Sequence, residues 1–138
     1  MDWTVRIDAR GKEPDKKMTA DVLEWVRKAI AEDPLRAHRF YKSKRLWVPK
    51  RAEVLKLDRY ECQKCRLVYH RYKKATTVHH IRHLKDRPDL ALSVWVDDGD
   101  GRIRRQLVSL CDACHNEEHP EKLKTYEEQE PLTAERWD

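Results

Sequence analysis

Four cysteines in two pairs are the residues of this sequence whose types and spacing point most directly to chemistry. Cys62 and Cys65 form one C-x2-C pair, Cys111 and Cys114 form a second, and 45 residues lie between the pairs. Two thiolates at this spacing can share one tetrahedral ion, and two pairs complete the closed four-sulfur shell typical of structural Zn²⁺. A closed shell has no open position, so the pattern predicts a structural and not a catalytic ion. A redox site would need a βαβ context that the sequence lacks.

Histidines form the second candidate group. His79 and His80 are adjacent, whereas His115 and His119 are four residues apart, which on a helix places both imidazoles on one face. Neighbouring residues of a strand point to opposite faces, so one of His79 and His80 can bind a metal while the other acts differently. Cys114 directly precedes His115, so the cysteine site would position a second metal site. His83 lies near enough in sequence to contact phosphate, the alternative being a plain surface role.

The elements that would position these groups follow from periodicity and from helix and turn signals. A polar stretch over residues 1–17 reads as a mobile arm. The sequence then predicts helices over 19–31 and from about 49 to 58, a strand over 76–81, a hairpin of 93–96 with 103–110, and a short helix over 112–119.

The composition fits a small domain that needs a metal to hold it together. The chain has 138 residues with 39% hydrophobic and 40% charged side chains. This hydrophobic share is low for a core that is stabilised by neither a metal nor disulfides. The net charge of +5 is unevenly distributed: residues 35–75 carry 14 basic and 3 acidic groups, whereas residues 117–138 carry 3 and 8. Such a basic block indicates a polyanionic partner, most often nucleic acid, the alternative being a solvated surface.

Basic residues beside aromatic ones, or in the loop after the predicted strand, are the candidate phosphate contacts. For the basic residues of the helix predicted from about 49 to 58 there is an alternative. The aliphatic parts of their side chains could cover a small core while the charged ends stay in water. The candidate nucleic-acid-binding residues are Lys42, Lys44, Arg45, Lys50, Arg51, Arg82 and Arg87.

The sequence shows no membrane or export signal. No apolar run approaches the ~20 residues that span a bilayer, and residues 1–6 do not resemble a signal peptide. We therefore expect a cytoplasmic protein without a membrane partner, where disulfides between the four cysteines would be rare.

Three motifs together resemble the HNH endonucleases, and most closely the small zinc-containing HNH proteins of phages and prophages. They are YECQKC at 60–65, VHHI at 78–81 and LVSLCDACHN at 107–116. The resemblance runs from about residue 40 to residue 120. It implies an α+β fold with a ββα-metal core stapled by a four-cysteine zinc site, preceded by N-terminal helices. The expected organisation is an N-terminal arm and helix (1–35), an HNH nuclease domain with the zinc site (36–120) and an acidic C-terminal tail (121–138).

The resemblance also implies roles for single residues. His80 corresponds to the general base, and His79, His115 and an additional helix ligand, His119, correspond to the ligands of a catalytic Mg²⁺, Mn²⁺, Ni²⁺ or Zn²⁺. Gln106 stands at the family's middle position, where Asn is usual; it carries the same amide on one more methylene and is counted with the catalytic residues. The segment 95–105 looks inserted relative to shorter members.

The function implied is a metal-dependent endonuclease that hydrolyses DNA phosphodiester bonds, leaving 5′-phosphate and 3′-hydroxyl ends. The phage association adds a hypothetical link to DNA packaging, with terminase proteins as partners in a bacterial or phage-infected host. Two alternatives stay open: a zinc-stabilised nucleic-acid-binding module of HNH fold without catalysis, and a packaging accessory that acts through protein contacts. The intact pair of His79 and His80, together with His115, favours the enzyme.

Overall fold

The structure, a computed structural model, describes residues 2–97 and 99–119. The acidic tail expected at 121–138 lies outside the described residues. Among the described residues, three α-helices come first, four short strands follow, and a further α-helix comes after the strands, an arrangement of the α+β class. Their bounds are α1 Ala20–Glu32, α2 His38–Tyr41, α3 Trp47–Leu57, β1 Thr77–His80, β2 Trp95–Asp97, β3 Ile103–Arg105, β4 Leu107–Leu110 and α4 Asp112–Glu118.

Helix α1 confirms the prediction for residues 19–31. The Thr19 side chain accepts a hydrogen bond from the Val22 amide (3.3 Å) and so caps the helix. The helix ends at Asp33, directly before Pro34, since the residue before a proline disfavours helical geometry. Its buried face consists of Val26 and Ala29.

Helix α3 also follows its prediction, beginning two residues earlier than Pro49. Asp58, at its end, is 7% exposed and joins the helix to two strands. Its carboxylate accepts hydrogen bonds from the Arg105 guanidinium and from the Ser109 amide (3.0 Å). This buried pair fixes α3 against β3 and β4.

The strands form two separate two-stranded antiparallel sheets, β1 with β4 and β2 with β3. His79 lies opposite Val108, and His80 lies opposite Leu107. The prediction of one continuous strand over 103–110 was wrong at Gln106, where the chain passes from one sheet to the other. The Gln106 amide donates to Val94 O (2.7 Å), while its carbonyl accepts from the Ile81 amide (2.8 Å). The backbone of this residue thus connects both sheets.

The arm before α1 is packed against the domain, although its sequence shows no period. Trp3 begins a 3₁₀ turn, Trp3–Arg6, and it is buried together with Ile7. Further along, the Asp15 carboxylate accepts hydrogen bonds from the amides of Val94 and Trp95, both at 3.1 Å. The arm therefore lies along β2.

The core fills the space between α3, the β1–β4 sheet and the four cysteines. Its largest fully buried side chains include Phe40, Val54, Leu107 and Leu110. Within the described part of the chain, no helix combines the length and apolarity needed to cross a membrane.

Candidate functional site

The four cysteines converge on one point in the core, and each is at most 1% exposed. The Sγ of Cys65 lies 3.6 Å from that of Cys114 and 3.9 Å from that of Cys111. In a tetrahedral site with metal–sulfur bonds of about 2.3 Å, the sulfurs are about 3.8 Å apart. The spacing of the cluster therefore fits a metal ion.

The pKa values of these thiols also bear on whether the cluster holds a cation. Burial raises the pKa of Cys62 and of Cys114. Burial acts likewise on Cys111, but hydrogen bonds, the largest from the Cys114 amide, outweigh it and hold the pKa of Cys111 below its usual value. Because burial disfavours the charged form of Cys62 and Cys114, their deprotonation requires a cation to balance the charge.

Three histidines form a second cluster, with ligand nitrogens that all lie within 4.8 Å of one another. His79 comes from β1, and His115 and His119 come from α4 and the residue that ends it. His119 Nε2 lies 3.1 Å from His79 Nδ1, close to the roughly 3.3 Å between nitrogens of a tetrahedral site with metal–nitrogen bonds of about 2.0 Å. Three protein ligands leave one position of a tetrahedral ion open, which is the arrangement of catalytic sites.

Helix α4 links the two clusters. It begins after Cys111, and its first turns carry Cys114 and His115. At the other end, Lys64 Nζ, from the first cysteine pair, contacts Glu118 Oε2 at 2.8 Å and Glu117 Oε1 at 3.1 Å. The position of the histidines therefore depends on the cysteine cluster at both ends of one short helix.

Lys64 and Glu118 stabilise each other in the charged form. Burial alone would raise the pKa of Glu118, but the hydrogen bond from Lys64 lowers it below its usual value. Burial alone would lower the pKa of Lys64, but the hydrogen bonds to Glu118 and Glu117 raise it.

His80 points to the opposite side of β1 from His79, as strand geometry predicts. It is 2% exposed, and its Nε2 lies 3.0 Å from Ala91 O. Its ring stacks on Trp47 with centroids 4.8 Å apart. A carbonyl oxygen only accepts hydrogen bonds, so the His80 Nε2 carries a proton and donates it to Ala91 O.

Gln106 is fully buried and acts on the loop that follows β1. Its Oε1 accepts a hydrogen bond from the Arg82 amide (3.0 Å), and its Nε2 donates to Arg82 O (2.9 Å). The side-chain amide thus pairs with the backbone of Arg82 much as a neighbouring strand would. The site thus accommodates the methylene by which Gln106 is longer than asparagine. Its side chain contacts the backbone two residues after His80.

His83 lies beside the histidine cluster. Its position three residues after His80 in the sequence does not by itself predict this. Its ring centroid is 5.0 Å from that of His119 and 6.2 Å from that of His79, and the side chain is exposed. The only signal for it in the sequence is that it ends the short run HHIRH.

The candidate phosphate contacts divide into two groups. Lys42, Lys44 and Arg45 lie between α2 and α3, are exposed, and make no ion pair within residues 2–97 and 99–119. These three are open to a polyanion.

The remaining candidates have intramolecular partners. Lys50 pairs with Glu53 at 3.2 Å and Arg87 with Asp89 at 2.9 Å. Arg51 donates to Thr76 O at 2.8 Å. The Arg82 guanidinium lies 3.4 Å from Gln106 Oε1.

Comparison with solved structures finds a phage protein. The chain is similar to the HNH endonuclease of the deep-sea thermophilic bacteriophage GVE2, whose crystal structure contains a manganese ion. The two are 30% identical with a TM-score of 0.51, and the match covers 79% of this chain and 99% of the phage protein. No protein-family model matches the sequence, and no curated protein matches it.

Proposed function

The chain belongs to the HNH endonuclease family, and from that premise we propose that it is a metal-dependent endonuclease that hydrolyses DNA phosphodiester bonds. The observation that carries the proposal is the buried cluster of His79, His115 and His119, with His80 next to it on the same strand. The cluster combines an incomplete ligand shell with an imidazole whose orientation is fixed. An ion with an open position and an oriented general base together suit metal-assisted hydrolysis of a phosphodiester.

The three histidines would hold the catalytic ion. When bound, a divalent ion supplies positive charge to the scissile phosphate and to the leaving oxygen. Imidazole nitrogens suit transition metals, and the manganese in the phage endonuclease agrees with such an ion, so we propose Mn²⁺ before Mg²⁺, Ni²⁺ or Zn²⁺. The four cysteines would hold a separate, structural Zn²⁺, because soft thiolates in a closed shell select that ion.

His80 is the proposed general base. Its Nε2–H is held by the Ala91 carbonyl and its ring by Trp47, so the lone pair of Nδ1 keeps one direction. At Nδ1 the imidazole takes a proton from a water molecule as the oxygen of that water attacks phosphorus. The bond from phosphorus to the 3′ oxygen breaks, and the leaving 3′ oxygen takes a proton from solvent water. The products are a 5′-phosphate and a 3′-hydroxyl, and fixing the ring removes the cost of orienting the base during the reaction.

Gln106 and His83 have supporting roles in this proposal. Gln106 is a positioning residue, since its contacts are with the Arg82 backbone and not with substrate. His83 contacts the phosphate, because it is the exposed histidine at the edge of the cluster. Lys42, Lys44 and Arg45 hold the DNA backbone further away.

Cleavage of supercoiled plasmid in Mg²⁺, Mn²⁺, Ni²⁺ or Zn²⁺ tests the proposal, with His80→Ala and His83→Ala as matched variants. Loss of a general base lowers the rate by about 10²–10⁴-fold. Loss of a phosphate contact costs about ten-fold, as expected for a charge-assisted hydrogen bond. No nicking by the parent in any of these metals, or equal nicking by His80→Ala, contradicts the proposed mechanism. A larger loss in His83→Ala than in His80→Ala reassigns the base to His83.

A second candidate is a nucleic-acid-binding module of HNH fold without catalysis. The 2% exposure of His80 favours it, since a general base must reach water. It predicts binding of DNA with no metal-dependent nicking. The proposed link to phage packaging rests on the family resemblance, and co-purification with a terminase from infected cells tests it.

A further inference from the structure

An arginine-lined groove lies outside the histidine and cysteine clusters. Residues 4–10 of the arm form one wall, and residues 102–105 form the other. The open cavity between them has a volume of about 680 Å³. Both walls come from parts of the sequence that lie outside the HNH motifs, namely the arm and the segment that looks inserted.

The charge of the groove is strongly positive. Five arginines line it against one acidic residue, Asp8, so the lining has a net charge of +4; the arginines are Arg6, Arg10, Arg102, Arg104 and Arg105. Arg105 pairs with Asp58, and Arg104 pairs with Asp100. Counting these two carboxylates as well still leaves a net charge of +2.

Two of the arginines are available to a ligand. Arg6 is exposed and uses one nitrogen, NH1, to donate to Leu67 O (3.0 Å), so the rest of its five N–H donors face solvent. Arg102 is exposed, and its guanidinium makes no ion pair or hydrogen bond within the part of the chain that the structure describes. Arg10 and Asp8 form an exposed ion pair of the kind that contributes little and exchanges readily.

The two walls are fixed to each other. Asp15 holds the arm to the Val94 and Trp95 amides. Lys12 of the arm and Arg105 of the hairpin both lie over the Trp95 ring, at 5.7 and 5.0 Å from its centroid. The distance between the two backbone walls is therefore set before any ligand arrives.

The groove also has a defined relation to the histidine cluster. Trp3, which precedes the first lining residue, donates from Nε1 to Glu118 Oε1 (3.4 Å), and Glu118 is the neighbour of His119 in sequence. The groove thus begins beside the end of the helix that carries two of the proposed metal ligands.

We propose that this groove binds the sugar–phosphate backbone of duplex DNA outside the cleavage site. The inference rests on the proposed function, since it assumes that DNA is the ligand. Guanidinium groups match phosphate oxygens with paired hydrogen bonds. The groove extends the contact surface beyond the block at residues 35–75, and it contributes to affinity without contributing to catalysis.

The salt dependence of binding to a labelled duplex of about 30 base pairs, measured without divalent metal, tests the groove. Each phosphate contact contributes about 0.9 to the slope of log K against log salt concentration. We expect the Arg6→Gln/Arg102→Gln double variant to lower that slope by about 1.8. A second variant, Val5→Glu, places a carboxylate at a half-exposed lining position. We expect it to weaken binding by about ten-fold at low salt.

Lys16→Gln/Lys17→Gln is the matched control, because both lysines are exposed on the same arm and do not line the groove. The proposal predicts a parental slope for this control. An unchanged slope in the groove variant together with unchanged binding by Val5→Glu overturns the proposal, as does an equal fall in the control. Plasmid nicking by the same proteins separates this inference from the proposed function: a parent that binds through the groove but never nicks contradicts the enzyme and not the groove.

Discussion

Neighbouring side chains on β1 experience different surroundings, because successive residues of a strand point to opposite faces. His79 faces two other imidazoles, whereas His80 faces Trp47 and the Ala91 carbonyl. The first environment suits ligation of a cation, and the second fixes the orientation of the ring. Two adjacent histidines can thus have different chemistry without any difference in residue type.

Gln106 gives a prediction at the level of one residue. Gln106→Met keeps the volume but removes both hydrogen bonds to Arg82, so we expect a loss of about 2 kcal/mol in the free energy of unfolding, measured in urea. We expect the rate of nicking to fall more than the affinity for DNA, since the loop after His80 loses its support. Gln106→Asn, which is one methylene shorter, should be intermediate. Parental stability and rate in Gln106→Met would show that the amide serves only to fill space.

The clustering of the candidate ligand residues could be predicted from sequence, but their neighbours could not. The spacing within each cysteine pair and from His115 to His119 is set by local structure. The meeting of the two cysteine pairs was expected because two such pairs complete a four-sulfur shell, whereas the meeting of His79 with the helix was expected only from the family resemblance. The position of His83 depends on the path of the loop after β1, which Gln106 fixes from 24 residues away. The arginine groove likewise joins positions about 100 residues apart, and no local pattern records that contact.

Helix α4 is short, although it carries residues of both the cysteine and the histidine cluster. It has seven residues, and helices of this length are not stable on their own in water. Cys111 and Cys114 hold its beginning, while Lys64 and Trp3 hold its end through Glu118. The helix is therefore kept in place by contacts at its two ends.

The contact between Lys64 and Glu118 gives a prediction for pH. Because the pKa of Glu118 is lowered on folding, it stabilises the fold above about pH 4.3, the unfolded value, and this contribution is lost as the pH falls through the folded pKa. Because the pKa of Lys64 is raised, its contribution is present below about pH 10.4 and is lost as the pH rises through the folded value. Between these limits we expect Glu118→Gln to be about 1 kcal/mol less stable than the parent, and the difference should vanish in acid.

Urea unfolding of both proteins from about pH 3 to about pH 9 measures this difference. Glu24→Gln is the control, since Glu24 pairs with Lys28 in an exposed contact whose side chains are 67% and 71% accessible. We expect little change in that variant at any pH. A difference for Glu118→Gln that persists in acid would mean that the carboxylate charge is not its cause.

Periodicity located the regular elements and failed where tertiary contacts decide. Thr19, Pro34 and the apolar repeat of α1 lie within one stretch of chain, so its bounds were predictable. The division of β3 from β4 depends on Gln106 donating its amide to Val94 and accepting from the Ile81 amide with its carbonyl, and the alternation of side chains does not reveal these two distant partners. Trp3 in the arm was missed for the same reason, since its partner is on α4.

Across the described residues, the two groups that could hold a metal ion, four cysteines and three histidines, lie in different surroundings. The cysteine cluster is built into the core, with every thiol buried. The histidine cluster has three ligands and lies against the exposed His83. Loss of an ion from the first should disturb the whole fold, whereas loss from the second should disturb only the site.

Metal removal tests this division. Binding of structural zinc contributes on the order of 10 kcal/mol to small folds, so we expect Cys111→Ser, or treatment of the parent with a strong zinc chelator, to abolish cooperative thermal unfolding. His115→Ala should keep the parental transition and one tightly held ion per chain by elemental analysis, but lose nicking. A cooperative transition in the metal-free parent would contradict the structural role of the cysteine cluster.

The hydrogen bond between Trp3 and Glu118 joins residues that are 115 positions apart, and it has a consequence for the order of folding. At translation rates of roughly 5–20 residues per second, several seconds separate the synthesis of these two residues. During that interval Cys62 and Cys65 have no second cysteine pair, β1 has no β4, and the arm has no α4 on which to pack. The domain therefore cannot complete its fold before α4 has been synthesised, because Trp3 and the first cysteine pair both depend on partners in or next to that helix.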